Sequence, residues 1–172
     1  MSPAPRRSRA SRSRRELNAT VDLAARRSFY RQQFMLDPDA WRGYSYPRSL
    51  KWVTIRFRLS EQSRLPNEAG VYAFLIQPGV APDLDASYLV YVGETKSLRR
   101  RFGNYLRESA GRGNVRIQLY SMFKKFKDYV YFTYAVLPES ERQQVEIALI
   151  AALTPPINRR LPVSIAEAER AF

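Results

Sequence analysis

Two tyrosines, one arginine and one glutamate have the types and spacing from which a reactive centre could be assembled. Tyr72 closes the triplet Gly70-Val71-Tyr72, and Tyr91 opens Tyr91-Val92-Gly93. Both fall near the ends of predicted strands. Arg101 ends the run Arg99-Arg100-Arg101 in the helix that follows, and Glu146 lies far downstream. At ~100° per residue, Arg100 points away from Leu98 into solvent, whereas Arg101 falls beside Tyr105 at the edge of the apolar stripe. A rigid guanidinium fork held there suits phosphate oxygens; the alternative is an arginine lying along a basic helix with its head in water. Glu146 is embedded in the apolar run 145–153. A buried unpaired carboxylate is expensive, so it must face a cleft, a cation or water. The alternative is a solvated stripe of Glu139, Arg142, Gln143 and Glu146 at helical spacing. Tyr72 and Tyr91 are also ordinary strand residues by propensity.

Composition narrows the chemistry. The 172-residue chain carries a formal charge of +13. Arginines crowd residues 1–15, where there is no acid, but the rest of the chain is basic in its own right. This favours a polyanionic partner, with nucleic acid first and an anionic membrane surface second. The absence of cysteine excludes disulfides and thiolate metal sites. The absence of histidine removes the commonest general base and zinc ligand. Catalysis at neutral pH must then use Tyr, Lys, Glu, Asp, a hydroxyl or metal-bound water. Any metal is a hard cation on oxygen ligands, magnesium or manganese. No apolar run approaches the ~20 residues of a membrane span, and the start lacks the apolar segment of a secretory signal. The expected location is intracellular, cytoplasmic or at the nucleoid, with organelle targeting by the Arg/Ser-rich start as the alternative.

The elements that must position these residues follow from periodicity and punctuation. Residues 1–17 have little to bury and are expected to be a disordered basic tail. Asn18 is expected to cap a helix to about residue 35, which Asp37-Pro38 ends. Residues 41–47 are expected to be irregular. In 51–59, Val53, Ile55, Phe57 and Leu59 alternate with Trp52, Thr54, Arg56 and Arg58, predicting a half-buried strand with a basic outer face. A loop over 60–67 leads to an almost wholly apolar strand at 71–76, as expected of a central strand covered on both faces. A long loop over 77–86, a strand at 87–92 and a turn at 93–97 follow. Thr95 or Ser97 caps the next helix, which carries Leu98, Phe102, Tyr105 and Leu106 on one face. A basic helix at 115–126, a strand at 129–137 and a helix at 138–153 complete the pattern, and Thr154-Pro155-Pro156-Ile157-Asn158 stops it.

In motif identity and order, the set Gly70-Val71-Tyr72, Tyr91-Val92-Gly93, Arg101, Glu146-x-x-Leu149-Ile150 and Pro156-Ile157-Asn158 resembles the GIY-YIG nuclease family. The lead-in Leu65-Pro66-Asn67-Glu68-Ala69-Gly70 resembles it too. The resemblance spans about residues 65–158. It implies an α+β fold with a small three-stranded antiparallel sheet flanked by helices. Residues 18–64 are then an N-terminal helix-plus-strand extension, 65–160 the nuclease domain and 161–172 a C-terminal tail. The implied activity is metal-dependent hydrolysis of DNA phosphodiester bonds. Glu146 would hold a divalent metal (Mg²⁺ or Mn²⁺) and Arg101 the scissile phosphate. Tyr72 and Tyr91 would position or deprotonate the attacking water, with Tyr91 the preferred base. A tyrosine, with a reference pKa of ~10, serves as a base near neutrality only if cations lower that value. Gly70, Gly93 and Asn158 would support the site. Where many members have a lysine after the second triplet this chain has Glu94, read as a turn residue, so Lys96 is the candidate to take over that lysine's role. Arg56, Arg58, Arg99, Arg100, Lys124 and Lys125 are the expected DNA-backbone contacts. The competing reading is a non-catalytic nucleic-acid-binding module that keeps the fold.

Overall fold

The computed structural model describes residues 36–46, 49–79 and 86–158, together with Arg15, Glu16, Asn18, Ala19 and Phe34. Its elements are α1 (Pro38–Gly43), β1 (Val53–Arg56), a 3₁₀ helix (Leu59–Arg64), β2 (Gly70–Ile76), β3 (Tyr88–Thr95), α2 (Leu98–Ser109), α3 (Ile117–Lys125), β4 (Val130–Val136) and α4 (Arg142–Leu153). The fold is α+β, with one antiparallel sheet in the order β1-β4-β2-β3. The sheet has four strands rather than the expected three, because the strand of the N-terminal extension pairs with β4, Val53 opposite Tyr134 and Ile55 opposite Phe132. An apolar strand edge left open on β4 would carry unpaired backbone groups, and β1 covers it.

Alternation along β2 divides the core in two. Tyr72, Phe74 and Ile76 face the α2–α3 side, where they join Leu98, Phe102, Tyr105, Leu119, Phe123 and Phe132. Val71 and Ala73 face α4, with Val145, Leu149 and Ile150. Phe74 is fully buried at the centre of the first face. Its ring centroid lies 5.3 Å from Phe57, 4.9 Å from Tyr105, 5.1 Å from Phe123 and 5.4 Å from Phe132. These are edge-to-face spacings, each contributing about 0.5–1.5 kcal/mol beyond burial.

Several expected boundaries move. Residues 41–47 are not wholly irregular: α1 forms there because the Asp37 carboxylate accepts from the amides of Asp39 and Ala40, both at 3.0 Å, and Pro38 occupies the first turn. The 51–59 strand stops at Arg56, and Val53 and Leu59 are exposed where a buried face was expected. β1 is a short edge strand, and only Ile55 and Phe57 pack on the core. The 60–67 loop contains the 3₁₀ helix, held by Arg58 and Arg64 bonding the buried Glu61 carboxylate. β3 runs on through Glu94 and Thr95, so 93–97 is not all turn; its residues pair with β2 as far as Gly70 opposite Thr95. The helix expected over 138–153 begins at Arg142, and that expected over 115–126 begins at Ile117. Asn18, expected as a cap, is itself helical, and its side-chain oxygen accepts from the Tyr120 hydroxyl at 2.5 Å. The rest of the 1–17 tail, most of the helix expected to about residue 35, the centre of the 77–86 loop and the 161–172 tail lie outside the described residues.

Candidate active site

The two glycines of the triplets are explained by close approach. Gly93 lies opposite Tyr72 across the β2–β3 pair. A Cβ on Gly93 would sit 2.4 Å from the Tyr72 hydroxyl oxygen, so only glycine lets that side chain lie over β3. A Cβ on Gly70 would sit 2.3 Å from the Ala135 carbonyl oxygen, which is backbone and cannot yield. Between them the ladder shifts register at Phe74/Leu75. Val90 and Tyr91 are sequence neighbours, yet both turn toward the aromatic face, as two residues opposite one in a bulge do. The bulge brings the Tyr91 ring centroid to 6.3 Å from Tyr72 and 6.4 Å from Tyr105.

Tyr72 is 1% exposed and its hydroxyl shares a 2.7 Å hydrogen bond with that of Tyr105. Burial pushes its pKa well above the ordinary phenol value, the neighbouring Tyr105 and Tyr91 add to the rise, and the charge of Arg101 opposes it. Tyr72 is therefore a neutral hydroxyl, suited to orient a neighbour by hydrogen bonding. Tyr105 is also raised by burial, against which the Arg116 charge acts. Tyr91 is only partly buried.

α2 carries Arg101 because Ser97 caps it, the Ser97 hydroxyl accepting from the Arg100 amide at 3.2 Å. With Leu98, Phe102 and Tyr105 turned into the core, Arg101 is left half-buried at the edge of that face. Its positive charge acts on Tyr72 and also on Glu146. Among the described residues, its guanidinium takes no side-chain hydrogen bond or ion pair. Glu146, on α4, is half-buried and likewise takes none. Burial raises its pKa above the ordinary carboxylate value, and Arg101 and Arg142 pull it back. One uncommitted carboxylate in a partly desolvated position suits a hard divalent cation that keeps most of its waters. No group of three or more His, Cys, Asp or Glu side chains that could hold a metal ion occurs among the described residues.

The supporting residues divide. Asn158 brackets Val92 with two 2.9 Å bonds, its carbonyl accepting from the Val92 amide and its amide donating to the Val92 carbonyl. With the Ile157 amide on the Val90 carbonyl at 3.0 Å, it covers the outer edge of β3 on both sides of Tyr91. Glu94 is a strand residue, ion-paired with Arg142. Lys96 is ion-paired with Glu139 at 2.5 Å. Among the expected DNA contacts, Arg56 donates to the Tyr131 hydroxyl at 3.1 Å and Arg58 is bonded to Glu61. Both lie at the β1 end of the sheet, away from β3. Arg99 donates to the Leu65 carbonyl at 2.7 Å, on the flank of α2 opposite Arg101. Arg100, Lys124 and Lys125 are exposed.

Sequence reasoning missed Arg116 and Glu108. Glu108 is 5% exposed. It accepts from the Arg116 backbone amide at 2.7 Å and from its guanidinium at 3.1 and 2.8 Å. Burial works against the Arg116 charge, but the bond to Glu108 prevails and keeps the guanidinium protonated. The guanidinium lies 4.9 Å from the Tyr105 ring centroid and donates to the Tyr91 hydroxyl at 3.3 Å. The available signal was a glutamate at the end of a basic helix with an arginine just past the glycine turn, a pattern shared with many surface pairs.

No family model matches the chain, and no curated protein matches it. Among solved structures it is similar to the GIY-YIG N-terminal endonuclease domain of UvrC from Thermotoga maritima, a tyrosine-to-phenylalanine point mutant bound to its catalytic divalent cation. The identity is 20%, the match covers 60% of this chain and 99% of that one, and the TM-score is 0.41.

Proposed function

We propose that this chain is a metal-dependent endonuclease that hydrolyses DNA phosphodiester bonds. The observation that carries the reading is the reach of one uncommitted guanidinium to both other parts of the site: Arg101 acts on the Tyr72 hydroxyl and on the Glu146 carboxylate. β2 and α4 are separate elements, and the Arg101 charge acts on the residue each contributes, Tyr72 and Glu146. Arg101 would take a non-bridging oxygen of the scissile phosphate, supplying positive charge where negative charge develops. Tyr91, at the open side of the tyrosine cluster, would act as base in its phenolate form, taking the proton of the attacking water to become the neutral phenol; Tyr72 and Tyr105 would hold the hydroxyl network that orients it. Glu146 would hold the divalent cation, Mg²⁺ or Mn²⁺, which when bound supplies Lewis-acid stabilisation of the phosphate. The basic surface would grip the DNA backbone without reading sequence. The catalytic unit would comprise residues 65–160, with β1 of the 18–64 extension completing its sheet.

The test is cleavage of supercoiled plasmid and of branched DNA with Mg²⁺ or Mn²⁺, comparing wild type with Arg101→Ala and Glu146→Ala. Cleavage by wild type and its loss in both variants is expected; equal activity in all three removes the reading. Tight, salt-sensitive DNA binding with no cleavage under either metal would favour the non-catalytic module instead.

A further inference from the structure

We propose that Arg116 is a positioning residue for the nuclease reaction: clamped by Glu108, it fixes the Tyr91 hydroxyl at the site. This rests on the nuclease reading above. A guanidinium is planar, so holding two of its nitrogens fixes the direction of the third. Glu108 holds Nε at 3.1 Å and Nη2 at 2.8 Å. The Arg116 backbone amide, at 2.7 Å from the same carboxylate, fixes the start of the side chain as well. Nη1 is then directed at the Tyr91 hydroxyl oxygen, at 3.3 Å, and the guanidinium interacts with the Tyr105 side chain as well.

Two consequences follow from donor and acceptor chemistry. Arginine cannot accept a hydrogen bond, so the Tyr91 oxygen accepts from it. In the phenol form the Tyr91 proton must then point elsewhere, and in the phenol or the phenolate a lone pair is held toward a fixed cation. The guanidinium carbon also lies over two rings, 4.9 Å from the Tyr105 centroid and 5.7 Å from that of Tyr91, and Tyr105 passes the constraint to Tyr72 through the 2.7 Å hydroxyl pair. One anchored cation thus orders all three phenols. A salt bridge whose only task was to tie the end of α2 to the start of α3 would need Glu108 and the first two nitrogens, and nothing on Tyr91.

Lysine separates the two roles. It keeps the charge and can hold Glu108, but a single ammonium lacks the fork that reaches Tyr91 in the same pose. The experiment uses the full chain with Mg²⁺: single-turnover cleavage at saturating plasmid DNA, the DNA dissociation constant and the Tm, for wild type, R116K and the E108Q/R116Q pair. The pair removes both charges together, so neither is left buried and alone. The expected result for R116K is a Tm and a DNA affinity close to wild type with cleavage slower by about 10–100-fold, the scale of a misaligned catalytic group. The ring resonance of Tyr91 in a ¹³C-tyrosine spectrum should move while that of exposed Tyr129 stays put. If R116K does not fold, the same split between rate and affinity is expected of the E108Q/R116Q pair. R116K (or the pair, if R116K does not fold) cleaving at the wild-type rate overturns the proposal alone. A wild type that cleaves no DNA overturns the nuclease reading and this proposal with it.

Discussion

The two faces of the sheet contribute to the site in opposite ways. On the α2–α3 face, the buried hydroxyls and the Glu108–Arg116 pair are engaged with one another. Tyr72 bonds Tyr105, Arg116 bonds Tyr91, and Glu108 closes the chain at Arg116. On the α4 face, Glu146 sits half-buried with no hydrogen bond among the described residues, its proton affinity raised by burial. The first face is stabilised by the groups it positions; the second carries a carboxylate that burial disfavours. Arg101 lies at the edge of the α2–α3 face and is itself uncommitted, and its charge acts on the carboxylate. A phenol has one donor and two acceptor sites, so a hydroxyl bonded to a neighbour still has capacity for water. On the proposed function, a metal ligand and a phosphate clamp would have to keep their bonds for the ligand, which accords with Glu146 and Arg101 standing uncommitted.

The sharpest way to break this contrast is at the two open groups. Arg101→Ala and Glu146→Gln should each lower plasmid cleavage by about 10²–10³-fold or more. Their stability effects should differ from those on the satisfied face. The folded-state pKa of Glu146 is raised, so its ionised form disfavours the native state once the pH exceeds the unfolded carboxylate value. Glu146→Gln should therefore melt at or above the wild-type temperature at pH 7, and the difference should vanish as the pH falls below about 4. A lower Tm for Glu146→Gln at pH 7 would mean that the carboxylate has a stabilising partner, and the contrast would fail.

On the satisfied face the order reverses, with stability lost first. Gly93→Ala puts a Cβ 2.4 Å from the Tyr72 hydroxyl and should cost about 1–3 kcal/mol, measured by urea unfolding. Tyr105→Phe leaves the buried Tyr72 hydroxyl without its partner and should cost about 1–3 kcal/mol by the same measure. Asn158→Ala removes two bonds to Val92 at the edge of β3, for roughly 1–2 kcal/mol, and the Val92 amide should then exchange faster with solvent. The smallest effect is expected at exposed Arg100. Its alanine variant should lie within about 0.5 kcal/mol of wild-type stability and lower the salt dependence of DNA binding by roughly one phosphate contact.

Much of the fold was legible because its signals are local. The unbroken apolar run of β2 marked a strand covered on both faces, and it is the inner strand bearing Tyr72. Thr95 or Ser97 before Leu98 marked a capped helix start, and it is the Ser97 hydroxyl that caps α2. The failures were also local in origin. Glu94 read as a turn residue because Gly93 and Thr95 look like a turn, but their pairing with Tyr72 and Gly70 holds them in a strand. Val53 and Leu59 alternate as buried residues should, yet β1 is too short and too near the edge to cover them.

By itself, the sequence determined that the chemistry would be free of histidine and thiolate, that the surface would be basic, and that two tyrosine triplets would precede a capped arginine helix. These are properties of composition and of side-chain period, which need no knowledge of distant contacts. Tertiary structure alone decided which cations are free. In sequence, Arg58, Arg101 and Arg116 are three arginines among many. In the fold, Arg58 is taken by Glu61, Arg116 is shared between Glu108 and Tyr91, and Arg101 is left open with its charge acting on Tyr72 and Glu146. It also decided the bulge that turns Val90 and Tyr91 to the same face. Both depend on which strand and which carboxylate come to lie opposite, and at these positions no short-range preference specifies that.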